Sequence, residues 1–235
     1  MKLYHILKLA SINFLCITLC AINCGCGTSA IGEKISPEEL GSWPTLDKGK
    51  TSIQGDQLIM EEIAGADGYF LISPKPYPAD IILNYKVKAL SSSSVNIVLF
   101  NVSDAGATEA LSLPPEGTKG QEFWTWRTQK EHYNLTFNNL SHGNTPFFFK
   151  NLSPYHRGFY HRSPSNIMET QQWYDVEIGK QGSKLWFKLN DHLIFEETDH
   201  NALTGGHLIF RISGTTGKKL TLAKIALKDL RISYP

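Results

Sequence analysis

In "DIILNYKVKAL", residues 80–90, the side chains of Ile81, Leu83, Tyr85, Val87 and Ala89 fall on one face of an extended chain, and Ile82, Asn84, Lys86 and Lys88 on the other. A repeat of two is what a strand buried on one side requires, because successive side chains point to opposite faces of a sheet. The same style continues in "SVNIVLFNV", "HYNLTFNN", "TPFFFK", "WYDVEIG", "SKLWFKL", "HLIFEE", "GHLIFRIS" and "KLTLAKIALKDLRISY". Turn signals stand between several of these runs, at Gln181-Gly182, Asn190-Asp191 and Gly205-Gly206, and "SKLWFKLNDHLIFEE" reads as a tight hairpin. Only "SPEEL" suggests a helical turn, with Ser36 as its cap and Glu39 completing the box. Many short strands at a spacing of about 8 to 12 residues predict an all-β fold, a two-sheet antiparallel β-sandwich or jelly roll. Phosphate loops carried on helices are excluded with it.

The amino terminus breaks the pattern. Lys2 and Lys8 precede Leu9 to Ile22, an uncharged apolar run shorter than the ~20 residues a membrane-spanning helix needs, so residues 1–26 read as a signal peptide. Cys24 follows Ala-Ile-Asn as the lipid-bearing cysteine does in bacterial lipoprotein signals, and Cys26 is the rival attachment point. The expectation is a bacterial protein exported to the outer membrane or cell surface and held there by lipid alone. The alternative is an ordinary secretory signal and a periplasmic or secreted product. All four cysteines, Cys16, Cys20, Cys24 and Cys26, lie in this segment, which leaves the remainder without disulfides or thiolate metal sites. Residues 27–45, polar with Pro37 and Pro44, read as a flexible tether, and residues 46–235 as one domain. Lys plus Arg falls from 23 to 21 once Lys2 and Lys8 are removed, against 22 Asp plus Glu. That balance indicates no nucleic-acid partner.

"QWYDVEIGKQGSKLWFKLNDHLIFEETDHNALTGGHLIFRISG" followed by "AKIALKDLRIS" runs Trp, strand, Gly turn, strand, Asn-Asp hairpin, Gly-Gly, strand ending in Arg, last strand. This order resembles the carboxy-terminal half of concanavalin A-like lectin/glucanase sandwiches. Within them it is most similar to the small bacterial YesU-type domains found near polysaccharide-degradation genes. The resemblance implies a polysaccharide or oligosaccharide partner, and it implies that Arg211 points into the sugar-binding sheet.

Candidate chemistry concentrates in "NLSPYHRGFYHRSPSN", residues 151–166, read as a loop. Sugars need hydrogen-bonding groups for their hydroxyls and aromatic faces for their C–H sides, and acidic sugars add a need for Arg. Tyr155, Phe159 and Tyr160 offer faces and Arg157 and Arg162 offer clamps. His156, His161 and Tyr160 are the candidate acid–base groups, with Gly158 allowing a bend. The bland alternative is a surface loop that seals the sandwich edge. In "GGHLIFRIS", His207 and Arg211 share a face opposite Leu208, Phe210 and Ile212. In "HYNLTFNN", His132, Asn134, Thr136 and Asn138 oppose Tyr133, Leu135 and Phe137. Asn84, Lys86 and Asn96 extend this polar character, and if these strands share a sheet they form the floor of a glycan groove. "EFWTWRTQ" sets Trp124 and Trp126 on one face as stacking platforms or as core; Trp173 and Trp186 read as packing.

Retaining glucanases of the resembling superfamily carry E-x-D-x-E on one strand, with catalytic carboxylates about 5 Å apart. This chain has only Asp175 and Glu177 in "YDVEIG", and Glu196-Glu197 on opposite faces. No G-x-S-x-G or H-E-x-x-H occurs. No cofactor is indicated, with structural calcium left open because no EF-hand-like loop marks a site. The reading is an exported carbohydrate-binding or polysaccharide-processing protein. Two alternatives stand beside it: a lyase or glycoside hydrolase using His, Tyr and Arg, and a structural surface lipoprotein.

Overall fold

A computed structural model describes residues 31–106, 108–118, 120–139, 145–154, 156–214 and 221–235; the leader with Cys24 and Cys26, and Tyr155, lie outside them. Numbered along the chain, the described strands form two antiparallel sheets. The eight-stranded sheet runs β13 (His192–Thr198), β12 (Lys184–Leu189), β11 (Trp173–Gln181), β6 (Ile81–Ala89), β15 (Lys224–Tyr234), β4 (Gln57–Glu62) and β3 (Gly49–Gln54), with β1 (Ile31–Lys34) also paired to β15. The seven-stranded sheet runs β10 (His156–Arg162), β9 (Phe147–Leu152), β8 (Lys130–Asn138), β7 (Val95–Asp104), β14 (His207–Ser213), β5 (Tyr69–Ile72) and β2 (Thr45–Leu46). The expected all-β, two-sheet antiparallel sandwich is what the chain forms.

The inner faces of both sheets share one apolar cluster, in which Leu83, Tyr85 and Val87 of β6 lie with Phe100 of β7 and Tyr133, Leu135 and Phe137 of β8. Rings from opposite sheets meet directly, with Phe137 of β8 5.2 Å from Phe187 of β12. Each such side chain contributes about 1.5–3 kcal/mol on burial. The alternation in β6 is realised residue by residue: every odd position from Ile81 to Ala89 is buried and every even one only partly so.

Three sequence expectations change. Residues 31–45 are not a loose tether. β1 pairs with the end of β15, helix α1 (Pro37–Gly41) is capped by Ser36 accepting from the Glu39 amide, and Ile35, Leu40 and Trp43 are buried in the core. Three apolar side chains in fifteen polar-looking residues suffice to dock it. The stretch 151–166 is mainly the β9–β10 hairpin rather than a loop. "EFWTWRTQ" lies largely within a second helix, α2 (Gly120–Thr128), so Trp124 and Trp126 diverge instead of sharing a face.

Strand placement also divides the polar positions that the sequence grouped together. Asn84 and Lys86 belong to the eight-stranded sheet, and Asn96 pairs with Phe137 on the inward face of β7. None of the three contributes to the polar floor described below.

Candidate functional site

The outer face of the seven-stranded sheet is built from rungs of register partners, which share a face. One rung is Phe70, Arg211, Ile97, Thr136, Phe147 and Arg162. The next is Ile72, Ile209, Leu99, Asn134, Phe149 and Tyr160. A third joins His132 to Asn151 and Arg157.

On the β5, β14 and β7 side these rungs are covered. Phe70, Ile72, Ile97, Leu99 and Ile209 form a second apolar cluster with Phe123 of α2, and Trp126 packs against it. Over β8, β9 and β10 they stay open, and there α2 and the sheet enclose a cavity of about 220 Å³. Trp124, Arg127 and Thr128 form its helical wall, and His132, Asn134, Phe149 and Asn151 are part of its floor.

A bulge in β10 completes the third wall. Arg157 pairs with Asn151 and Tyr160 with Phe149, so β10 spends three residues where β9 spends two. The shift sets Arg157, Tyr160 and Arg162 on the cavity side, and Phe159 and His161 on the other. Simple alternation would have separated Arg157 from Tyr160. Gly158 sits in the bulge, where an added Cβ would lie 2.8 Å from Cδ of Lys150. The Lys150 stem passes beneath it to an ion pair with Asp199 at 2.7 Å, both side chains nearly buried.

The cavity is aromatic and cationic. Phe147, Phe149 and Tyr160 form an inclined stack with centroids 6.0 to 6.3 Å apart. Arg157 lies over Phe149 at 5.4 Å and Tyr160 at 4.9 Å, Arg162 over Phe147 at 5.6 Å, and Arg127 over Trp124 at 4.0 Å. Arg162 Nε also donates to the Tyr160 hydroxyl at 3.0 Å. Arg211 lies over Phe70 and donates to the Asp67 carbonyl, while its Nε has no protein partner. Burial pushes Arg211 down to about 10, so it is still charged at neutral pH.

His132 is 1% exposed. Its Nδ1 lies 3.0 Å from the Lys130 carbonyl oxygen, which can only accept, so Nδ1 carries the proton. Nε2 is then a bare lone pair, buried, unpartnered and in a cavity-lining ring. Burial first, and then the Arg127 charge, push the imidazole down to about 3. His132 is a neutral acceptor at physiological pH.

Of the residues singled out from the sequence, Trp124, His132, Asn134, Thr136, Arg157, Tyr160, Arg162 and Arg211 meet in this cavity. The others lie elsewhere. His161 pairs with Glu197 across the edges of the two sheets, and His156 is exposed at the start of β10. His207 donates through Nδ1 to the Ser73 carbonyl at 2.8 Å, and Trp126 Nε1 donates to the Ser112 carbonyl. Sequence reading missed Phe147, Phe149, Asn151 and Arg127. The first two sit in "FFF", where three aromatic residues in a row give no period to say which points outward.

Asp175 pairs with Lys86 at 2.6 Å and Glu177 with Lys188 at 2.8 Å, both on the face of β11 opposite its buried Val176 and Ile178. They are far from the cavity, across the sandwich. Among the described residues no three His, Cys, Asp or Glu side chains gather as a bound metal would require.

Structural comparison places this arrangement among jelly rolls. A protein of unknown function with a galectin-like fold from Bacillus subtilis superposes with a TM-score of 0.66 at 14% identity, over 87% of this chain and 98% of that one. The fold is a galectin-like jelly-roll β-sandwich. A β-1,3-1,4-glucanase (lichenase) derived from a mouse hindgut metagenome matches at 0.55 and 10% identity, over 87% and 98%. The carbohydrate-binding module CBM66 from Bacillus subtilis matches at 0.52 and 11%, over 81% and 96%. Identities this low speak for the fold alone. No family model matches the chain, and no curated protein is similar to it.

Proposed function

We propose that this chain is a carbohydrate-binding protein that takes a glycan into the cavity between α2 and the outer face of β8, β9 and β10. The observation that carries the reading is the buried Nε2 of His132, held as an acceptor with no protein partner. A buried polar atom without a partner costs about 1–3 kcal/mol, which a ligand hydroxyl would recover. The aromatic stack beside it supplies faces for C–H surfaces, and the arginines supply donors. Likeness to a carbohydrate-binding module and to glucanases supports the same class.

Titration calorimetry of the full chain against a panel of polysaccharides tests this. Binding that is lost in His132→Phe is the expected result. No heat with any glycan overturns it and leaves a structural surface protein as the account.

One observation favours a second reading, a lyase. The Tyr160 hydroxyl lies in the cavity beside the Arg162 cation. There it would face a uronate whose carboxylate an arginine neutralises, which makes the adjacent proton more acidic. Against it, His132 is too weak a base near neutral pH to share the work. The ultraviolet absorbance of an unsaturated uronate product separates the two readings. Hydrolysis by paired carboxylates has no support, because no carboxylate lines the cavity among the described residues.

Export through residues 1–26, with lipid on Cys24 or else Cys26, belongs to the same proposal and rests on sequence alone. So does membership of the YesU-type domains. A mature-protein mass that keeps the leader would overturn the export reading.

A further inference from the structure

Charge separates this cavity from a site for a neutral sugar. Arg127, Arg157, Arg162 and Arg211 all line it, and among the described lining residues none carries a carboxylate. A guanidinium keeps its charge through the physiological range, and an apolar floor strengthens its field. Arg157 and Arg162 are exposed residues of β10, an edge strand, where open solvent was available to them. Each lies instead over a ring of the cavity wall. Glu62, Asp47 and Asp67 act on Arg211 from outside the lining, while an anion bound within the cavity would meet the arginines where the described lining itself offers no carboxylate.

The cavity is also a dead end. The excursion between β7 and β8 is tied down at its base, where Asp104 accepts from the Ser112 amide and hydroxyl and from Lys130 Nζ. Phe123 rests on Phe70 at 4.3 Å, so α2 walls off the β5–β14 side of the sheet. A polymer laid across all the strands would run into this helix. The volume of about 220 Å³ is below the ~300–1,000 Å³ typical of pockets for drug-sized ligands, and suits one sugar residue. At the rim Trp124 is 44% exposed, a face for the residue that follows.

We infer that the cavity receives the terminal residue of an anionic glycan, its carboxylate or sulfate held by Arg157 and Arg162 and a hydroxyl donated to Nε2 of His132. This deepens the glycan-binding reading and rests on it.

The full-length protein is titrated with three oligosaccharides of matched length: an oligogalacturonide, its carboxyl-reduced neutral twin, and a sulfated galactan oligomer. At least one charged ligand should bind roughly tenfold tighter than the neutral one, the worth of a charge-assisted contact. Which of the two does so names the anion. Arg162→Gln should remove that preference while a thermal melt confirms the fold. Equal affinity for all three overturns the anionic assignment and leaves glycan binding standing; no binding to any of them, or to neutral polysaccharides, overturns both. For the chain end, partial fragmentation of the preferred polymer should raise the protein bound per unit mass in proportion to the ends created. An unchanged capacity overturns end recognition.

Discussion

The Nδ1–H of His132 and the carbonyl of Lys130 are 3.0 Å apart, and Asn151 Nδ2 donates to that same oxygen at 2.7 Å. One backbone oxygen therefore holds two floor residues of the cavity in place and leaves Nε2 as the unpartnered imidazole nitrogen. Such orientation before binding is what lets a small site hold its ligand without an ordering cost.

His132→Phe keeps the ring volume and removes the acceptor, while the Lys130 oxygen keeps Asn151. Glycan affinity should fall roughly tenfold or more, as for loss of a buried hydrogen bond. Calorimetry reads the affinity, and an unchanged value would show that Nε2 does not meet the ligand.

Acid should weaken the fold through the same residue. Folded His132 takes a proton only near pH 3, whereas the ordinary imidazole value is 6.5. Between those values the unfolded chain binds a proton that the folded chain refuses. The stabilisation is therefore complete above pH 6.5 and lost as pH falls toward 3. From pH 6.5 to pH 4 it amounts to roughly 3 kcal/mol. Urea melts across that range should show a shallower acid decline in His132→Phe than in the parent.

Asp199 ties β9 to the segment before β14. Burial draws its carboxyl up, but Lys150, the Tyr133 hydroxyl and the Asn201 amide outweigh that and hold it below the usual carboxylate range. Asp199→Ala leaves the Lys150 ammonium buried without its counter-ion, and should cost about 3–5 kcal/mol in denaturant unfolding. Adding Lys150→Met to Asp199→Ala, which removes the stranded ammonium as well, should recover part of that loss.

Gly158→Ala tests the bulge. Its Cβ would press on Cδ of Lys150, whose far end is fixed by the ion pair with Asp199, so the stem has little freedom to yield. A loss of about 1–3 kcal/mol is expected. Glycan affinity should drop with it, because the bulge sets Arg157 and Tyr160 on one face. Full affinity in a destabilised variant would separate the bulge from the site.

Trp124→Ala removes an exposed side chain on α2. Stability should stay within about 0.5 kcal/mol of the parent. Affinity for a disaccharide or longer ligand should fall severalfold while that for a monosaccharide holds, which calorimetry with both ligands resolves.

Much of the sandwich was legible in the chain. The repeat of two in "DIILNYKVKAL" and "HYNLTFNN" marked Leu83, Tyr85, Tyr133 and Leu135 as interior, since each strand's inward set follows from local geometry once one face is apolar. The lack of E-x-D-x-E was also legible, and no carboxylate stands among the described lining residues. His132, Asn134 and Arg211 also stood out, because a polar residue on the outward side of a strong strand keeps its place whatever the neighbours.

What the chain by itself determined was therefore the strands, their inward faces and the chemistry available on the outward ones. Only the tertiary structure decided which outward faces share a sheet, separating Asn84 and Lys86 from His132 and Arg211. It also decided the β10 bulge at Gly158, which brings Arg157 and Tyr160 together and turns His161 away to Glu197. And it laid α2 over Phe70, making Arg127 and Trp124 a wall. Periodicity is a property of one strand, whereas pairing partners, register shifts and the docking of an excursion depend on contacts between residues distant in the chain.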